Sequence, residues 1–171
     1  PRRTAIEESA TDIDIAALIQ EEDVAVTISH NGWVKRVPLD TYREQHRGGR
    51  GIKASDLHSD DFIEKLFVAS THDDLMCFTD TGRVFKIKVY EIPQMARTAK
   101  GRSIRSLIEL RDGEKTVAYL PIKDFEKGED FLCFATAMGK VKRTSLKLFQ
   151  NVNRAGIIAI DLNEGDELIG V

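Results

Sequence analysis

Uncharged apolar runs at 24–28, 75–78 and 131–134 each lead to a hydroxyl residue, Ser29, Thr79 or Thr136, and then to a short turn closed by Gly32, Gly82 or Gly139. That order predicts a tight β-hairpin, because the turn needs a residue that accepts positive φ. Beyond each glycine a Gly-x-Val-x-basic pattern recurs: Gly32-Trp33-Val34-Lys35-Arg36, Gly82-Arg83-Val84-Phe85-Lys86 and Gly139-Lys140-Val141-Lys142-Arg143. In the second copy Phe85, Ile87 and Val89 alternate with Lys86 and Lys88, the two-residue period of a half-buried strand whose basic residues are expected to face outward. Another apolar run ends each unit, at 62–69, 115–122 and 167–171.

These hairpins are copies of one unit. Asp23, Asp73 and Asp130 hold the same place before the turn glycines, and second glycines follow at Gly51, Gly101 and Gly156, with glutamines at Gln45, Gln94 and Gln150. A period of roughly 50 residues with about four short strands per unit reads as an all-β, propeller-like protein whose small sheets bury their faces against one another. Chance similarity among the hairpins of a β-sandwich does not account for three aspartates and three glycines in matched register. The blades are expected at about 21–61, 62–114 and 115–164, with a fourth opening at 165–171. Residues 1–20, polar and acidic with only a short apolar stretch, read as a linker.

Composition narrows the class further. With 42% apolar and 31% charged residues the chain is of ordinary globular type. No apolar stretch approaches the roughly 20 residues of a membrane helix, so no membrane role and a cytoplasmic location are expected. Cys77 and Cys133 lie inside apolar runs, which suits small buried side chains rather than a disulfide framework. The histidines show no metal-ligand spacing, and no metal site is expected. The net charge of -3 comes from the acidic leader, and the segment after it is basic enough to permit a basic patch.

One segment is specific. Gln45-His46-Arg47-Gly48-Gly49-Arg50-Gly51 resembles the seven-residue box of the DNA gyrase A subunit's C-terminal domain family, and Arg97-Thr98-Ala99-Lys100-Gly101 and Asn153-Arg154-Ala155-Gly156 are looser echoes of it. The resemblance implies a β-pinwheel of six four-stranded blades, about three of them in this chain, preceded by the connector from the cleavage domain. It also implies non-specific wrapping of duplex DNA around a basic rim, in support of negative supercoiling by an ATP-dependent type IIA topoisomerase. The partners it implies are double-stranded DNA, the rest of the A subunit and the B subunit in an A2B2 tetramer, with a nucleoid-associated location. ATP and Mg belong to other domains, and this chain is expected to use no cofactor of its own. His46 stands where the family usually has Arg or Lys, leaving the box slightly less charged at neutral pH.

Glycines allow close backbone approach, and arginines make bidentate bonds to phosphate without reading bases. The DNA-binding residues expected on that basis are Arg36, Arg43, Arg47, Arg50, Lys53, Lys86, Arg97, Lys100, Arg102, Arg143 and Arg154. No catalytic residue is expected: Tyr42, Tyr90 and Tyr119 lack the Arg-Tyr-Thr context of the family's cleaving tyrosine, and no other nucleophile or carboxylate pair has credible spacing. Two rival readings are the C-terminal domain of a topoisomerase IV A subunit, which generally lacks an intact box, and a propeller-like protein-interaction module.

Overall fold

The computed structural model describes residues 15–42 and 60–171. After a single helical turn, α1 (Ile15–Leu18), the described chain is made of β-strands and short 3-10 turns. The strands are β1 (Asp23–Ser29), β2 (Trp33–Pro38), β3 (Ile63–Ser70), β4 (Asp74–Thr79), β5 (Arg83–Lys88), β6 (Arg102–Ser103), β7 (Thr116–Ile122), β8 (Phe131–Thr136), β9 (Val141–Ser145), β10 (Ile157–Ile158) and β11 (Leu168–Gly170). They form three antiparallel sheets, ordered β3-β1-β2-β6, β10-β5-β4-β7 and β11-β8-β9.

Each sheet is centred on one of the expected hairpins, joined through a three-residue loop that ends in the glycine in the first two sheets and through the four residues 137–140, with Gly139 third, in the last. In the first, the Gly32 amide donates to the Ser29 carbonyl at 2.9 Å and Gly32 has φ of 78°, the left-handed position that favours glycine.

The sheets do not take contiguous stretches of chain. β3 pairs with β1, so the expected boundary at 61/62 falls before the last long strand of the first sheet rather than after it. β6 and β10 in turn leave their own repeats to pair with β2 and β5 of the preceding sheet. Local pattern cannot reveal such an exchange, because the exchanged strands are two residues long and carry no period of their own.

The burial of the middle sheet explains its sequence. Leu75, Cys77, Phe85 and Ile87 pack with Val24, Val26, Ile28 and Val34 of the first sheet in one core, while Met76, Phe78 and Val84 pack with Leu132 and Phe134 of the third in a second core. A strand covered on both faces reads as an uninterrupted apolar run, not an alternating one. Burial pushes the Cys77 thiol up to about 12, where it is inert. Cys133, by contrast, is exposed; it points away from the second core, on the same face as the exposed Phe131 and Val141.

Candidate nucleic-acid interface

An acid stands two residues before β3, β7 and β11, and its carboxylate clasps the hairpin turn beside it. Asp61 Oδ1 accepts the amides of Asn31 (3.1 Å) and Phe62 (3.0 Å). Asp166 Oδ1 does the same for Met138 and Glu167, both at 2.9 Å. In the second sheet the acid is Glu114, which is 2% exposed. Its Oε1 accepts the hydroxyls of Thr79 (2.7 Å) and Thr81 (2.6 Å), and its Oε2 accepts Arg83 Nη1 and the Arg111 amide, both at 2.8 Å. Burial raises the Glu114 pKa, but the Thr81 hydroxyl, the Arg111 amide, the Thr79 hydroxyl and the Arg83 guanidinium outweigh it and hold the carboxyl below its ordinary 4.5. The hydroxyl half of this clasp is visible in the sequence; the acid half, one residue ahead of each closing apolar run, was missed.

On these anchored hairpins lie the echoes of the glycine-rich box. The segment leading to β6 runs along β2: Arg36 donates its amide to Pro93 O at 3.1 Å and accepts the Met95 amide at 3.1 Å, and the Ile104 amide donates to Gly32 O at 2.8 Å. At Gly101, with φ of 103°, a β-carbon would stand 2.8 Å from Val34 O. The strand β10 pairs with β5 in the same register, the Ala159 amide donating to Gly82 O at 2.8 Å, and at Gly156 a β-carbon would stand 2.7 Å from the Phe85 ring. Glycine is required at both because one backbone presses on the preceding sheet.

The cations expected from the sequence divide into three groups. Arg43, Arg47, Arg50 and Lys53, with Gln45, His46, Gly48, Gly49 and Gly51, lie outside the described residues. Arg97 and Lys100, in the loop before β6, and Arg102, the first residue of β6, share the edge of the first sheet; Lys100 Nζ sits 3.8 Å from the centre of the Trp33 ring and Arg102 is exposed. Arg154, on the second sheet, pairs with Glu91 at 2.7 Å.

Arg36 and Lys86 depart from the outward orientation expected of them. Arg36 Nε donates to Ile92 O at 2.8 Å, with Glu22 at 3.8 Å from its Nη1, and Lys86 Nζ donates to Gln150 O and stands 5.2 Å from the Phe125 ring centre. Each latches its sheet to the end of the next repeat's 3-10 turn, where carbonyls are left without intrahelical donors. Arg143, the third member of the series, is exposed and lies over Phe131 at 4.2 Å. Lys35, which the sequence offered only as part of a basic pattern, is 1% exposed and donates to Arg97 O and, at 2.6 Å, to Ala99 O.

Among the described residues no cluster of His, Cys, Asp or Glu could hold a metal ion, and no helix is long and apolar enough to cross a membrane.

Small sheets, two of which receive a strand from the repeat that follows, define an all-β, propeller-like class of domain. The fold matches the C-terminal domain of DNA topoisomerase IV with a TM-score of 0.74, at 28% identity over 88% of this chain and 45% of that one. It matches the DNA gyrase A C-terminal domain with a TM-score of 0.68, at 31% identity over 87% of this chain and 47% of that one. The family model for the DNA gyrase C-terminal domain, a β-propeller, matches three times, at 23–70, 73–123 and 130–171. The chain belongs to that family. Among its relatives are the DNA gyrase A subunits of Clostridium acetobutylicum, 46% identical over 99% of this chain, and of Salmonella typhimurium, 48% identical over the same share. The chain spans about a fifth of their length, 20% and 19%.

Proposed function

We propose that this chain binds duplex DNA without sequence specificity and wraps it along a basic edge, as part of a gyrase A subunit that introduces negative supercoils together with the B subunit. The cleavage chemistry, ATP and Mg belong to other parts of that assembly. The observation that carries the reading is the recurrence of the box. Arg97, Lys100 and Arg102 on the first sheet and Arg154 on the second are presented by segments whose short strands pair in the same register with β2 and β5, so cations recur at intervals along adjoining edges. Contacts of that kind offset the few kcal/mol needed to bend a duplex, through phosphates rather than bases. The topoisomerase IV reading has a close structural match in its favour, but the family model and the 46–48% identical relatives favour gyrase.

The test is nicked plasmid ligated in the presence of the full-length A subunit. Wrapping leaves a linking-number shift in the sealed circle, and replacing both Arg47 and Arg50 by alanine is expected to remove most of it. A shift that survives the double replacement would overturn the role of the box. A salt titration of binding adds a second measure, since each phosphate contact contributes about 0.9 to the log–log slope.

A further inference from the structure

Lys35 lies on β2 with its ammonium inside the protein, donating to the carbonyls of Arg97 and Ala99. Those carbonyls belong to the loop that carries Arg97, Lys100 and Arg102. Burying an ammonium is costly unless its donors are well met, and stability alone does not demand one here. The matching position of the second hairpin is Phe85, whose ring fills the space beneath Gly156. What an ammonium adds and a ring cannot is direction: it draws two carbonyls, one on each side of Thr98, in toward the sheet and so defines the path of the backbone between them. In the third hairpin Lys142 reaches Ala159 O at 2.8 Å, on the far side of β10 rather than within the basic loop.

We propose that Lys35 is a positioning residue for DNA binding: from inside the fold it holds the Arg97–Arg102 loop in the conformation that offers its cations to phosphate. Held at 1% exposure, Lys35 makes no phosphate contact itself. A change in the salt dependence of binding on its replacement therefore reports on the loop. This inference rests on the DNA-binding reading of that loop.

The experiment measures binding of the full-length A subunit to a short mixed-sequence linear duplex across a salt series. Lys35→Met keeps the length of the side chain and removes its charge and donors. It is expected to lower the log–log slope by at least one contact, about 0.9, with the far-UV circular dichroism spectrum unchanged; Lys35→Arg is expected to restore most of the slope. A folded Lys35→Met protein with an unaltered slope overturns the proposal. A measurement on the unaltered protein stands beside it in case the methionine variant does not fold: the Ala99 amide, which donates to Ala96 O at 3.0 Å, is expected to exchange its hydrogen as slowly as the amides of β2. Exchange at the rate of an open loop overturns the proposal equally. The double variant Lys100→Gln, Arg102→Gln, with Lys35 intact, separates the two levels of inference. If it leaves the slope unchanged, the DNA-binding reading of this loop fails; if it lowers the slope and folded Lys35→Met does not, only the positioning role fails.

Discussion

The seam between the first and second repeats and the seam between the second and third solve one problem with different chemistry. At both, a glycine-led segment leaves its own repeat and presses on the second strand of the sheet before it. The first seam is polar beneath: the Lys35 ammonium holds carbonyls, and Lys100 covers Trp33. The second is aromatic and ionic: the Phe85 ring lies under Gly156, while Arg83 spans the junction by donating to Ala155 O at 2.7 Å and to buried Glu114. Strand exchange thus demands glycine and close approach, but leaves the material beneath free to vary. The ion pair makes the second seam the more dependent on a single side chain.

The largest expected effect comes from removing that dependence. Glu114 satisfies two hydroxyls, one amide and Arg83, whose side chain is only 12% exposed. Glu114→Ala leaves the guanidinium nearly buried without its carboxylate and is expected to destabilise by about 3 kcal/mol or more in urea unfolding. Loss of under about 1 kcal/mol would mean that water replaces the carboxylate and that the seam rests on Phe85. Asp61→Ala offers the contrast: its carboxylate caps a turn at the surface through the Asn31 and Phe62 amides, so a loss of about 1 kcal/mol is expected. The pH dependence follows the same logic. Because the folded Glu114 pKa is depressed below 4.5, its contribution is fully present above that value and is lost as pH falls through the folded pKa. Glu114→Gln should therefore flatten the acid limb of the stability curve below about pH 4.5.

Next in size is Gly156. A β-carbon there meets the Phe85 ring at 2.7 Å and Val84 O at 3.0 Å, with φ of 74°. Steric displacement adds to the left-handed backbone penalty, and Gly156→Ala is expected to destabilise by about 2–4 kcal/mol. At Gly139 φ is 82° and nothing lies within 4 Å, so Gly139→Ala isolates the backbone penalty at about 1 kcal/mol. Equal losses at the two sites, measured by thermal unfolding, would show that the second seam can open around an added methyl group.

The difference between the two glycines bears on what was legible in the sequence. Turn glycines announce themselves through the apolar run and hydroxyl before them, so the hairpins, the repeat and the all-β class were readable. Gly101 and Gly156 were readable as repeats but not as contact points, because what they touch lies more than sixty residues away. Separations of 56 and 64 residues hid the inward turn of Arg36 and Lys86: the carbonyls they reach, Ile92 O and Gln150 O, are marked by no sequence pattern. Lys35 was hidden for the opposite reason, since a lysine in a basic strand ordinarily belongs to solvent. The clasp acids Asp61, Glu114 and Asp166 did carry a signal, an acid at matching positions in all three repeats, but its meaning depends on β3, β7 and β11 returning beside the turns.

The smallest expected effect probes the exposed rim of the second seam. Arg154 is 69% exposed and its pair with Glu91 is a surface ion pair, so Glu91→Gln should change stability by no more than about 1 kcal/mol. Its effect on DNA binding is expected to be the more informative. At the first seam Lys100 rests on a neutral indole, whereas at the second Arg154 is held by a carboxylate that a phosphate would have to displace. Neutralising Glu91 removes that competitor and its repulsion of the duplex, so affinity should rise and the salt slope should steepen by up to about 0.9 if Arg154 then meets a phosphate. Arg154→Gln should abolish the gain. An affinity and slope that Glu91→Gln leaves untouched would mean that Arg154 belongs, with Arg36 and Lys86, to the latches between repeats, and that the cations offered to DNA by the described residues are concentrated at the first seam.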